Sequence, residues 1–229
     1  GCGKSTFLRC LNRMNDTIPI CRIEGDIRLE GQDIYDKSID VVQLRARVGM
    51  VFQDPDDQLF MPTVFDDVAF GPLNLGLPVA EVETVVMHAL DTMGVAHLKD
   101  RPPFKLSGGE KRSVAIASVL SMSPDILVMD EPTSGLDPRA RRRLIEQLKT
   151  FEHTKIIAGH DLDMAVDVCE RTIVIHQGEV TADGSTLELL QDEVLLEKSG
   201  LEKPLQMQHC PLCGQGKPHL DKPEVTNNK

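Results

Sequence analysis

Three short stretches carry residue types suited to phosphate chemistry. The chain opens Gly1-Cys2-Gly3-Lys4-Ser5-Thr6. Glycines let backbone N–H groups curl around phosphate oxygens, and the N-terminus of a following helix favours negative charge. Lys4 then reaches the β- and γ-phosphates, and the Ser5 hydroxyl ligates Mg²⁺. A complete loop of this kind reads G-x-x-x-x-G-K-[ST], but only two residues precede Gly3. The chain is therefore expected to begin inside the motif, with the strand that leads into it missing. The second stretch, Ile126 to Glu131, is apolar and ends in two acids. Asp130 stands at a strand's C-terminal end, where open α/β sheets place ligands. It suits an Mg²⁺ contact through water, and Glu131 suits orienting or deprotonating an attacking water. A strand that merely ends in solvated acids is the bland alternative, and the continuation Pro132-Thr133-Ser134-Gly135-Leu136-Asp137 argues against it. The third is Leu106-Ser107-Gly108-Gly109-Glu110. Ser107 and Glu110 have capping-box spacing. The two glycines weaken a helix start by up to ~1 kcal/mol each relative to Ala, which makes sense where bare backbone approaches a phosphate. Gln53 and His160, single residues at the ends of strand-like runs, gain weight only from their place in this order.

The elements that must position these residues follow from periodicity. Thr6, Phe7, Leu8, Leu11 and Met14 predict a helix over 5–14 directly after the loop. Ile27-Arg28-Leu29-Glu30 alternates and Gly31-Gln32-Asp33 reads as a turn, which predicts a small hairpin. Residues 47–52 read as a strand ending at Gln53. The stretch 54–78 is rich in Pro, Asp and Gly and reads as irregular. Val79, Val82, Val86, Leu90 and Met93 predict a helix stopped by Gly94. A long helix is expected over 108–122, a buried parallel strand over 126–129, and a helix capped by Asp137 with Pro138 at its first position, running to about Glu152. Lys155 to Ala158 is a further strand, and Asp161 caps a further helix. Residues 171–181 read as a hairpin, and Ser185 with Glu188 as a capping box. Strands alternating with helices predict a mainly parallel α/β sheet.

Composition bounds the answer. The 229 residues carry 25 Lys and Arg against 36 Asp and Glu, a net charge of −11, with 41% hydrophobic residues. Disorder of the whole chain is excluded. No stretch approaches the ~20 apolar residues that span a bilayer, and no secretory leader is visible. The acidic balance, one Tyr and no Trp argue against nucleic acid as a partner. Six scattered Cys fit a reducing compartment better than a disulfide framework. Cys2, Cys10, Cys21 and Cys169 read as packing residues or open thiols, and the run Arg139, Arg141, Arg142, Arg143 as a solvated helix face.

The ordered set of phosphate loop, Gln53, LSGGE, ILVMDE, SGLD and His160 resembles the ATP-binding-cassette ATPases over almost the whole chain up to about residue 200. The resemblance implies an α/β P-loop NTPase fold: a RecA-like parallel sheet core without its N-terminal strand, a helical signature subdomain over about 54–122, and a small antiparallel β subdomain. It implies a cassette domain over 1–204, followed by a flexible Cys/His-containing tail over 205–229. ATP and Mg²⁺ are the implied cofactors. Gly1, Cys2, Gly3, Lys4, Ser5 and Thr6 match the Walker A loop, with Ser5 on Mg²⁺. Gln53 matches the Q-loop glutamine, which senses Mg²⁺ and the membrane subunit. Ser107, Gly108 and Gly109 match the signature that closes over ATP bound to the opposite subunit. Asp130 matches the Walker B aspartate that holds Mg²⁺, Glu131 the catalytic glutamate, Asp137 the D-loop aspartate and His160 the switch histidine. Glu110 departs from the more usual glutamine of the signature.

Two parts of the chain resemble different members of that family. Residues 1–52, with FLRCLNRMND and LRARVGMVFQ, resemble phosphate-importer ATPases. From Gln53 on, DPDDQLFMPTVFDDVAFGPLNLGL and GHDLDMAVDVCERTIVIHQGEVTADG resemble cobalt/nickel and energy-coupling-factor ATPases. A natural mosaic, a mis-assembled gene or an intermediate lineage would each produce this. In the family, the segment after Gln53, here Asp56, Asp57, Gln58, Leu59 and Phe60, forms the groove that receives the membrane subunit. Partner choice is therefore expected to follow the second part. The expectation is a peripheral ATPase at the cytoplasmic face of the membrane, working in a homo- or heterodimer of cassettes with an integral membrane partner to import cobalt/nickel ions or another energy-coupling-factor substrate. Phosphate import is the alternative, and a non-transport cassette protein or an inactive fragment comes after it. In the tail, His209, Cys210, Cys213 and His219 offer soft ligands for Zn²⁺, Ni²⁺ or Co²⁺, or are incidental.

Overall fold

The computed structural model describes residues 3–208. The elements are α1 (Lys4–Cys10), β1 (Arg28–Leu29), β2 (Gln32–Asp33), α2 (Val41–Arg47), β3 (Val48–Val51), α3 (Val64–Asn74), α4 (Val79–Thr92), α5 (Gly108–Leu120), β4 (Ile126–Asp130), α6 (Pro138–Thr150), β5 (Thr154–Ala158), α7 (Leu162–Val168), β6 (Arg171–His176), β7 (Glu179–Ser185), α8 (Thr186–Leu189) and α9 (Glu193–Lys198). They fall into two compact units: one spans Gly3–His160, and the second starts at Asp161.

The first unit is built on a parallel sheet in the order β3-β4-β5. Val48 pairs with Ile126 and Val51 with Met129, while Asp130 pairs with Ala158. The strands are apolar because both faces are covered. On one face Leu8 of α1, Leu44 of α2 and Ile34 of the β1–β2 hairpin join Val48, Met50 and Val128 in a buried cluster. On the other face α5 comes so close that a Cβ on Gly49 would lie 2.3 Å from Val119 Cγ1. Helices α3, α4 and α5 pack on one another.

Several boundaries differ from the sequence expectations. The first helix stops at Cys10 rather than Met14. Asn15 explains the stop, because its side chain folds back to donate to the Thr6 carbonyl at 2.9 Å and a separate turn forms over 14–17. The stretch 54–78 is not irregular throughout, since it contains the 11-residue α3. Thr63 caps it by accepting from the Asp66 N–H at 3.1 Å. Pro72 removes the N–H that would have bonded the Val68 carbonyl, and Ser121 Oγ supplies the missing donor at 2.8 Å. Gly71 is needed because any Cβ there would meet Met122 Sδ at 2.6 Å. Both apparent helix breakers are thus tertiary contacts with the end of α5.

The second unit holds the antiparallel pair β6–β7, with a bulge at Val174/Ile175, followed by α8 and α9. Asp161 caps α7 as expected, accepting from Met164 N–H at 2.9 Å. The capping box expected at Ser185 and Glu188 does not form: Ser185 makes no side-chain cap and is still paired in β7 with Arg171.

Candidate functional site

The C-terminal end of the central strand β4 delivers two acids, Asp130 in the strand and Glu131 just after it. Asp130 is the last residue of the strand and only 4% exposed, and its Oδ1 has no hydrogen-bond partner. A buried carboxylate oxygen in that condition is costly unless a cation or ordered water completes it. Glu131 follows with φ of +47°, a left-handed conformation that a non-glycine residue adopts only when its surroundings hold it there. Its N–H extends the β4–β5 ladder by one bond, to the Ala158 carbonyl at 2.8 Å. The Glu131 carboxylate lies between Lys4 and His160. Lys4 Nζ lies 3.8 Å from Oε1, and His160 Nδ1 lies 2.7 Å from Oε2. The His160 contact is ion-pair proximity rather than a well-aligned hydrogen bond, and the imidazole is 74% exposed.

A cleft of about 580 Å³ opens beside these acids. Ser5 from α1, Gln53 after β3, Asp130 from β4 and Gly108 from α5 all line it, so four of the residues singled out by sequence share one cavity. The oxygen donors among them, the Ser5 hydroxyl and the Asp130 carboxylate, suit a hard cation such as Mg²⁺. Gly3 caps α1 in the left-handed region at φ +86°, a conformation that glycine adopts without steric cost. Thr6 is exposed on α1 outside the cleft lining. Gly1 and Cys2 lie outside the described residues, as do His209, Cys210, Cys213 and His219. Among the described residues no cluster of three or more His, Cys, Asp or Glu could hold a metal, and Cys10, Cys21 and Cys169 are not in disulfides.

The start of α5 is a complete capping box. Glu110 accepts from Ser107 N–H at 2.8 Å and Ser107 Oγ–H at 2.7 Å, and Ser107 Oγ accepts in return from Glu110 N–H at 3.4 Å. These bonds hold the Glu110 carboxyl below the usual carboxylate range. The two glycines separate here. A Cβ on Gly108 would meet nothing within 4 Å, whereas one on Gly109 would lie 2.8 Å from Ala140 Cβ of α6. Gly109 therefore has a packing reason inside the chain, and Gly108 has none. Asp137 stands apart from the cleft lining as the cap of α6, accepting from Arg139 N–H at 2.8 Å and Ala140 N–H at 3.1 Å, which lowers its pKa.

Sequence reasoning missed Arg112. It is 2% exposed, lines the same cleft, and donates to the Phe52 and Gln53 carbonyls. The signal was present: Arg112, Ile116 and Val119 share one helix face, and the latter two are buried. Gln58, expected in the docking segment, also has a structural role. Its amide accepts from Phe52 N–H at 3.2 Å and donates to the Ala115 carbonyl at 2.6 Å, tying that segment to α5.

A family described as "ABC transporter" matches residues 1–134. A putative ABC transporter ATP-binding protein of Geobacter sulfurreducens is 58% identical over 215 residues, covering 94% of this chain and 84% of that one. The energy-coupling factor transporter ATP-binding protein EcfA of Methanothermobacter thermautotrophicus is 41% identical over 207 residues, covering 89% of this chain and 65% of that one. Among solved structures, cbiO1 of Clostridium perfringens, part of the ABC transporter complex cbiONQ, superposes with a TM-score of 0.73 at 38% identity. That match covers 86% of this chain and 78% of the other.

Proposed function

The chain belongs to the ABC transporter ATP-binding family, and from that premise we propose that it powers an importer of the energy-coupling-factor type. The chain is an ATPase subunit with a P-loop NTPase fold. The observation that carries the catalytic reading is the Glu131 carboxylate, held at positive φ between Lys4 and His160 at the edge of a cleft lined by Ser5, Gln53 and Asp130.

In this reading ATP lies with its phosphates on the loop of Gly3, Lys4 and Ser5. Glu131 orients a water and takes its proton as the water oxygen bonds to the γ-phosphorus. The bond to the bridging oxygen breaks, and ADP leaves with that electron pair. Lys4 stabilises the charge on the transferring phosphoryl group, and His160 holds Glu131 in position. Ser5 and Asp130 would hold Mg²⁺, which when bound neutralises charge on the phosphate oxygens. The unpartnered Asp130 Oδ1 supports that assignment. Gly108, with open space around it, suits backbone approach by a nucleotide bound to a second cassette.

The importer class rests on two supports. From Gln53 on the sequence resembles cobalt/nickel and energy-coupling-factor ATPases, and EcfA and cbiO1 are similar over most of the chain. Cobalt or nickel ions are the favoured cargo. The membrane partner docks on the segment after Gln53, which places the protein at the cytoplasmic face of the membrane. The resemblance of residues 1–52 to phosphate-importer ATPases favours phosphate import as a second reading. Co-expression of the chain with an energy-coupling-factor membrane subunit and, separately, a phosphate permease tests the choice. Co-purification with the first is expected, and co-purification with the permease alone overturns the proposal.

A further inference from the structure

We propose that Arg112 is a positioning residue of the hydrolysis site, its guanidinium holding the backbone of Phe52 and Gln53 and so setting where the Gln53 side chain sits beside Asp130. The inference rests on the nucleotide-site reading above. Strand β3 makes its last ladder pair at Val51 with Met129, so the next two carbonyls have lost their strand partner. Arg112 supplies both donors: Nη1 to Phe52 O at 2.6 Å and Nη2 to Gln53 O at 2.5 Å. A planar fork fits two successive carbonyls, and a lysine ammonium has no such fork.

Burial lowers the Arg112 pKa, and the nearby negative charges of Asp54 and Asp130 oppose that. The guanidinium thus sits within the electrostatic reach of the acid assigned to Mg²⁺. Its Nε has no hydrogen-bond partner among the described residues. A buried ion with an unpaired donor is a poor strut, because an apolar side chain of similar volume would stabilise the same packing at lower cost. What an apolar side chain cannot do is fix the carbonyls of 52 and 53. Three further bonds tie the same loop to α5: the Gln58 amide to Ala115 O and Ser118 Oγ, and Lys111 Nζ to Asp56 Oδ1 at 2.6 Å. The loop bearing Gln53 therefore follows α5, the helix that begins at Ser107 and Gly108.

Arg112→Lys and Arg112→Met in the full chain test this, measuring kcat, KM for ATP, melting temperature, and the Mg²⁺ concentration giving half-maximal thermal protection by ATP. For Arg112→Lys we expect kcat to fall on the order of tenfold, with KM within about twofold of wild type and a Mg²⁺ requirement raised on the order of tenfold. Arg112→Met is expected to lose more turnover, and if it does not fold, Arg112→Lys decides alone. A lower melting temperature with unchanged kcat and Mg²⁺ requirement makes Arg112 a strut and overturns the proposal. A wild-type chain that neither hydrolyses ATP nor gains thermal protection from Mg-ATP overturns the nucleotide-site reading itself, and the role of Arg112 with it.

Discussion

Glu131 and Lys4 illustrate how little separates a structural ion pair from a catalytic one. At 3.8 Å, with Lys4 31% and Glu131 13% exposed, the pair is long and only partly buried, so it contributes modestly to stability. Lys4→Ala is therefore expected to leave the melting temperature within a few degrees of wild type while ATP turnover falls on the order of 10²–10³, and melting and steady-state assays on one preparation check both. The paired glycines give a sharper contrast. Gly108→Ala fits its open space at the first position of α5, so it should stabilise the chain by at most about 0.5 kcal/mol while impairing turnover. Gly109→Ala forces a Cβ against Ala140 and should destabilise it by roughly 1–3 kcal/mol. Denaturant titration of both variants would show the opposite signs, and equal losses of stability would refute the distinction.

At the scale of elements, α3 shows where burial and charge meet. Asp67 is buried and accepts from Phe60 N–H at 3.0 Å and Met61 N–H at 3.1 Å, but its Oδ2 has no partner. Burial raises its pKa above the usual 3.8. A folded-state pKa above the unfolded one means that the folded chain holds the proton longer, so this group's contribution is lost as pH rises through that window. Asp67→Asn keeps the acceptor and removes the charge. It should stabilise the chain by roughly 1 kcal/mol at pH 7, with a gain that shrinks as pH falls toward the ordinary carboxylate range, as melting curves across pH would reveal. Much of this architecture was legible in the sequence. The Asp130–Glu131 strand end, the Ser107–Glu110 cap and the Asp137–Pro138 helix start were readable because their signals are local. Helix α3 was not, because Gly71 and Pro72 are tolerated only through Met122 and Ser121, some 50 residues on. The place of Arg112 on the buried face of α5 was readable from its spacing with Ile116 and Val119, but its partners were not: they are the carbonyls of 52 and 53, and backbone groups leave no trace in sequence.

At the scale of the whole molecule, the net charge of −11 says little about binding a polyanion. In the proposed function the phosphate site is set by local groups: the backbone at Gly3, the Lys4 ammonium and the oxygens that would hold Mg²⁺. Among the described residues no helix is long and apolar enough to cross a membrane, and the proposed function assigns that work to a partner subunit. It also calls for a second cassette, whose nucleotide would approach the open space at Gly108. The central claim is that Glu131 activates the water that cleaves ATP. Its most direct test is Mg²⁺-dependent ATP hydrolysis by wild-type and Glu131→Gln chains, read beside the mass of each in saturating ATP. The account predicts that Glu131→Gln still binds ATP, loses turnover on the order of 10²–10³ and accumulates as a dimer. Near-wild-type turnover in Glu131→Gln would contradict it.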